Sequence, residues 1–146
     1  MRKLFYLLLI PFCLTGCKKD QSKIDDQAIQ KYINDHHLTA TAEPNGLYFV
    51  STTAGTGGNP NDTSLVTVLY KGYLTDGTVF AQLTTTPQTF SLSGVIAGWR
   101  EGIPLMKKGG VATLLIPSAL GYGGQVQNGI PANSVLIFDV DLVNFQ

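Results

Sequence analysis

The sequence predicts an α+β domain, in which a largely antiparallel sheet carries one packed helix. Three observations support this expectation. From Leu47 onward, short runs rich in β-branched and aromatic residues alternate with turn residues, the pattern of successive strands. Between residues 95 and 106 the apolar side chains recur instead every three or four positions, the period of a helix. The length of 146 residues, 44% of them hydrophobic, suffices for one core and is too short for two. The same composition excludes several functions. With 10 Lys and Arg against 10 Asp and Glu there is no basic patch for nucleic acid, and 2 cysteines cannot build a disulfide framework or a cysteine zinc site.

The chain opens on a segment that does not belong to the domain. Met1, Arg2 and Lys3 form a basic head to the apolar run LFYLLLIPFCLT, too short to span a bilayer comfortably and of the length of a signal-peptide core. Its end, Leu14-Thr15-Gly16-Cys17, resembles the lipobox of bacterial lipoprotein signal peptides. The resemblance implies that residues 1–16 are removed and that the Cys17 thiol carries a diacylglycerol. Cleavage there takes away Arg2 and Lys3 and no acid, leaving 8 basic and 10 acidic side chains, a net charge of −2. It also leaves no free thiol, which suits an oxidising extracytoplasmic compartment. Acyl chains contributing ~0.8 kcal/mol per buried methylene would hold the mature chain on a membrane of the bacterial envelope.

Residues 17–46 read as a lipidated polar stalk. Within it Ser22-Lys-Ile-Asp25 has the spacing of a capping box, and Ile24, Ala28, Ile29, Tyr32 and Ile33 recur at helical spacing, which predicts one amphipathic helix to about Asp35. Its apolar stripe either docks on the domain or pairs with a second copy, so the chain is a monomer or a stalk-mediated dimer. His36 and His37 follow at the helix end, where a cation is favoured and where adjacent side chains do not share a face; no metal site is expected. The segment TATAEPNG reads as linker. With the helix formed and the rest extended, the stalk could hold the domain up to ~70 Å from the lipid.

The domain itself spans residues 47–146. Leu47–Val50 is a short strand, and the loop after it carries Gly55, Gly57 and Gly58. No Lys-Ser/Thr and no helix follow those glycines, so they indicate a flexible loop and not a phosphate cradle. LVTVLYKGYLT and TVFAQL are strands joined by Asp76-Gly77, a strong hairpin signal, and TFSL is a further strand. Val95, Ile96, Trp99, Ile103 and Met106 mark the helix; Lys107-Lys108-Gly109 closes the element and Pro104 argues for an earlier finish. GVATLLIP and VLIFDVDLVNF are the last two strands, the second with Leu136, Phe138, Val140 and Leu142 on one face and Asp139 and Asp141 on the other.

Four blocks, VLYKGYLTDGTVF, FSLSGVIAGWREGIPLMKKG, LLIPSALGYG and NGIPANSVLIFDVDLV, resemble in order and spacing the signatures of the FKBP-type peptidyl-prolyl isomerases. The resemblance covers residues 47–146 and implies an FKBP-like fold, a curved antiparallel sheet of five or six strands wrapped around one short helix, with an apolar active-site hollow between them. It places Tyr70, Phe80, Ile96, Trp99, Tyr122 and Phe138 in the catalytic hollow, Trp99 as its floor, with Val95, Ile130 and Ala81 as substrate-binding positions. It further implies that the Ile96 backbone N–H and the Tyr122 hydroxyl donate hydrogen bonds to the substrate. No cofactor is implied. By composition alone the same apolar and aromatic residues would be assigned to the core.

Three features depart from the family pattern. Ala81 stands where an aspartate usually follows the phenylalanine, Gln88 occupies a wall position that is often apolar, and the late loop is about one residue short, leaving Gly129 where an isoleucine often sits. The expectation is a pocket that accepts proline, turns over slowly and holds macrolides poorly. The chemistry needs no reactive group. Rotation about an X-Pro bond is slow because it breaks amide resonance, at a barrier of ~18–20 kcal/mol. Accelerating it ~10³-fold takes about 4 kcal/mol. A water-poor hollow supplies that by favouring the twisted, less polar amide. The reading is a membrane-tethered prolyl isomerase acting on proline-containing polypeptides during folding of exported proteins. The alternative is a proline-binding chaperone or interaction module with weak turnover, which Ala81 favours.

Overall fold

The computed structural model describes residues 17–146. The signal-peptide segment expected at 1–16 lies outside the described residues, and so does the Cys17 side chain. Among the described residues no helix is long and apolar enough to cross a membrane. The elements run α1 (Cys17–Asp35), β1 (Thr41–Ala42), β2 (Tyr48–Thr53), β3 (Leu65–Leu74), β4 (Val79–Ser91), α2 (Ala97–Gly102), β5 (Gly110–Ile116) and β6 (Leu136–Phe145). The six strands form one antiparallel sheet in the order β1-β2-β5-β6-β3-β4.

Strand alternation divides the sheet into two apolar faces. On one face Val66 and Val68 of β3, Leu114 and Ile116 of β5 and Leu136, Phe138, Val140 and Leu142 of β6 close over Trp99 and Ile103, forming the main core. Gly98 and Gly102, one turn apart on α2, face β5. A Cβ on Gly98 would lie 2.4 Å from Ile116 Cγ2 and one on Gly102 2.9 Å from Leu114, so the two glycines let the helix lie close against the strand. The helix is six residues long and gives way to a 3₁₀ turn, Ile103–Leu105. Pro104 has no N–H to extend the helical ladder, so the element ends before Lys107-Lys108-Gly109.

The other face is covered by α1. Ile29 is fully buried against Val50, Leu115 and Val135, with Ala28, Tyr32 and Ile33 beside it. The stalk expectation is therefore corrected: the helix is docked on the domain through Ala28, Ile29, Tyr32 and Ile33, while Ile24 of the expected stripe stays exposed, and the ~70 Å reach disappears. Polar contacts fix it there. The Tyr48 hydroxyl accepts from Gln30 Nε2 at 2.8 Å and donates to Asp26 Oδ1 at 2.7 Å. The Tyr32 and Tyr73 hydroxyls lie 3.4 Å apart, and Asp139 Oδ1 accepts from Tyr73 at 3.3 Å and from Thr113 at 2.7 Å.

Four further expectations change. Ser22 does not cap α1, because the helix already begins at Cys17, and Asp25, its expected capping partner, turns to a distant segment of the chain. The linker TATAEPNG contains β1, which pairs Thr41 with Phe49 and Ala42 with Tyr48. TVFAQL and TFSL join into the single strand β4. Its register jumps from Leu83 opposite Tyr70 to Gln88 opposite Val68, so residues 84–87 bulge out at the sheet's edge. Gln88 is exposed on that edge, away from the apolar wall it was expected to join.

Candidate functional site

The cavity lies where α2 meets the sheet. Trp99, nearly buried, forms its base because α2 is capped three residues earlier: Ile96 has extended backbone geometry (φ −58°, ψ 151°), and its carbonyl accepts from the N–H groups of Trp99 and Arg100 at 3.0 and 3.1 Å. The indole then meets three other rings edge to face. Its centroid is 5.1 Å from Tyr70 on β3, 5.3 Å from Phe138 on β6 and 6.0 Å from Phe90 on β4, with interplanar angles of 86°, 82° and 89°. Phe80 stands 5.4 Å from Phe138 at 80° and completes the wall. Such perpendicular pairs set ring edges against ring faces, a favourable quadrupole arrangement that keeps the rings from stacking flat and closing the space.

One small residue makes room for this packing. Gly72 of β3 lies under both phenylalanines, and a Cβ there would sit 2.7 Å from Phe138 Cε1 and from Phe80 Cε2.

The resulting hollow holds about 490 Å³ and opens to solvent. It brings together Tyr70, Phe80, Ala81, Val95, Ile96, Trp99, Tyr122, Ile130 and Phe138, residues from three strands, the entrance to α2 and the late loop. These are the nine positions to which the sequence pointed. Phe90, Gly94, Gln127 and Asn128 also line it. Phe90 was legible as an aromatic in a strand but carried no sign of which way it faced. Gln127 and Asn128 sit in an irregular loop whose pairing, with Gln127 and Ile130 exchanging backbone hydrogen bonds at 3.0 and 2.9 Å, has no periodic signature. Gln88 does not reach the cavity.

Among the described residues no charged side chain lines the hollow. Its polar groups are few. Trp99 Nε1 is buried without a hydrogen-bond partner among the described residues. The Tyr70 hydroxyl has its pKa raised, first by burial and then by the nearby Tyr122. Ala81 also lines the cavity, and its side chain offers no hydrogen-bond acceptor there. Tyr122 is partly exposed at the rim, and the Ile96 N–H, preceding the first turn of α2, stands outside the helical ladder. A site of this kind can bind an apolar ring, exclude water and direct two donors at a carbonyl. It has no ionised group for proton transfer and no paired nucleophile.

Residues 57–143 match the family profile described as FKBP-type peptidyl-prolyl cis-trans isomerase. The chain is 38% identical over 139 residues to the FKBP-type peptidyl-prolyl cis-trans isomerase FkpA of Aeromonas hydrophila, covering 89% of this chain and 50% of that protein. It is 46% identical over 101 residues to FkpA of Escherichia coli (strain K12), covering 68% of this chain and 37% of that one. The chain thus spans half or less of the length of these relatives. Among solved structures, the crystal structure of FkpA from Escherichia coli is similar with a TM-score of 0.76 and 37% identity, over 88% of this chain and 62% of that one. A peptidyl-prolyl cis-trans isomerase from Pseudomonas syringae pv. tomato gives 0.73 and 29%, over 86% and 96%.

Proposed function

The chain belongs to the FKBP-type peptidyl-prolyl cis-trans isomerases, and on that premise we propose that its aromatic hollow binds proline within an extended polypeptide and accelerates rotation about the preceding amide bond. The observation that carries this reading is the cavity over Trp99, walled by Tyr70, Phe80, Phe90 and Phe138 and free of charged groups. A proline ring fits such a hollow by apolar contact. The carbonyl before it then lies in a medium of low polarity, where the planar amide, with its larger charge separation, loses solvation that the twisted form needs less. The Ile96 N–H and the Tyr122 hydroxyl serve as donors that hold the substrate while the bond turns. No bond is made or broken, so the absence of an ionised group in the hollow is consistent with catalysis.

Exchange NMR on a proline tetrapeptide with the full chain tests this directly. Cis–trans cross-peaks that appear only with protein, and that weaken in Trp99→Leu while the variant's fold is retained, are the expected result. Shift changes without exchange would instead select the second reading, a proline-binding chaperone or interaction module, which Ala81 favours by leaving the hollow without an orienting acceptor at that position. Macrolide binding is expected to be weak for the same reason.

The setting we propose is the bacterial envelope, with the chain held to a membrane by lipid on Cys17 and serving exported polypeptides. The support is the sequence around residues 4–17 and the lack of any free thiol after Cys17. Incorporation of labelled palmitate into the chain, lost in Cys17→Ser, is the expected result; equal labelling of both would refute it.

A further inference from the structure

The Asp25 carboxylate is 2% exposed and lies on α1, in a segment the isomerase fold does not need for its cavity. It is held by three donors, none of them a cation among the described residues. Oδ2 accepts from the Ser118 N–H at 2.8 Å and from the Ser118 hydroxyl at 2.6 Å, while Oδ1 accepts from Gln21 Nε2 at 2.7 Å. Ser118 is itself nearly buried and opens the 3₁₀ turn Ser118–Leu120. Its carbonyl then accepts from Gly121 at 3.0 Å and from Gly123 at 2.8 Å, the two residues that flank Tyr122. Asn133 closes the far side by donating to the Gly123 carbonyl at 2.7 Å. A continuous run of short hydrogen bonds therefore leads from α1 to the backbone on both sides of the tyrosine at the cavity rim.

We propose that Asp25 is a positioning residue for Tyr122: α1 acts through Ser118 to hold the rim hydroxyl where a substrate carbonyl meets it. The proposal rests on the reading of the cavity as the prolyl site. Misplacing a positioned group by a fraction of its working tolerance is costly, so Asp25→Ala in the full chain is expected to lower kcat/KM for a prolyl tetrapeptide about tenfold. In a Tyr122→Phe background the same substitution is expected to cost less than about twofold, because residues that act through one another are not additive. Asp25→Asn retains an acceptor and should recover most of the activity. Lys31→Ala, which breaks an exposed ion pair with Asp35 on the same helix, should leave turnover unchanged. An equal loss from Asp25→Ala in both backgrounds, or no loss in either, overturns the proposal.

Where Asp25→Ala does not fold, Ser118→Ala removes the 2.6 Å contact, keeps the main-chain one, and runs the same cycle with a smaller loss. A fluorotyrosine at position 122 separates this proposal from the one beneath it. Its ¹⁹F resonance should shift in Asp25→Ala or Ser118→Ala and stay put in Lys31→Ala, whether or not the wild-type chain isomerises prolyl bonds. No shift in either variant overturns the positioning role, whereas a shift in a chain without isomerase activity refutes only the reading of the cavity.

Discussion

At the scale of single residues, Ala81 and Gly72 set what the hollow can hold. The Tyr70 hydroxyl is partly removed from water, and Ala81 on the same cavity lining carries no polar side-chain atom. Ala81→Asp supplies an acceptor on the cavity wall. A hydrogen bond with a net value of about 1 kcal/mol in the transition state corresponds to a rise of roughly fivefold in turnover. Exchange NMR on the folded variant measures it, and an unchanged rate would show that the departure at this position is neutral. Gly72 works by absence. Its Cβ would enter the space of Phe80 and Phe138 at 2.7 Å, so Gly72→Ala forces one ring aside. Overpacking of this kind should cost about 1–3 kcal/mol of stability, read by urea denaturation, with a visible loss of proline-peptide affinity.

At the scale of elements, local signals placed the strands and missed what the N-terminal helix touches. The alternation in β6 and the Asp76-Gly77 hairpin were legible because each is written within a dozen residues. That α1 docks, and on which face, depends on Ile29 meeting Val50, Leu115 and Val135, residues far apart in the chain. The apolar stripe showed that Ile29 needed a partner but not which surface would provide it. Ser22 and Asp25 illustrate the same limit: a capping spacing is local, and two buried donors on Ser118 won the carboxylate instead. The nine cavity positions became legible through motif order and family likeness, since aromatic residues in a strand do not announce whether they wall a cavity or fill a core. Docking has an energetic consequence. Ile29→Ala removes a fully buried side chain and should lower stability by about 2–5 kcal/mol, seen in a denaturant midpoint; a change near zero would mean that α1 contributes little.

For the molecule as a whole, tyrosine burial makes alkaline pH the vulnerable side. Tyr73 is pushed well above the ordinary tyrosine range, mainly by burial and then by its contact with Tyr32, with the Asp139 charge adding to it. Tyr48, beside Asp26, and Tyr70 are raised as well. The unfolded chain loses these protons near pH ~10 while the folded one keeps them, so the stability they contribute is whole below that pH and declines as pH rises above it. Urea midpoints should be level between about pH 7 and 9 and fall by pH 11, and Tyr73→Phe should flatten the decline. A midpoint that holds steady to pH 11 would contradict the burial of that hydroxyl.

The bulge at residues 84–87 reaches beyond the fold that contains it. β4 is the longest strand and lies at the open margin of the sheet, the position from which β proteins polymerise through backbone pairing. Because its ladder breaks in the middle and Pro87 has no N–H to give, a neighbouring molecule finds two short stretches where one long template would otherwise run. Crowded solutions of this chain should accordingly remain dispersed, and straightening the strand by deleting the bulge would be the surest way to make it form fibres.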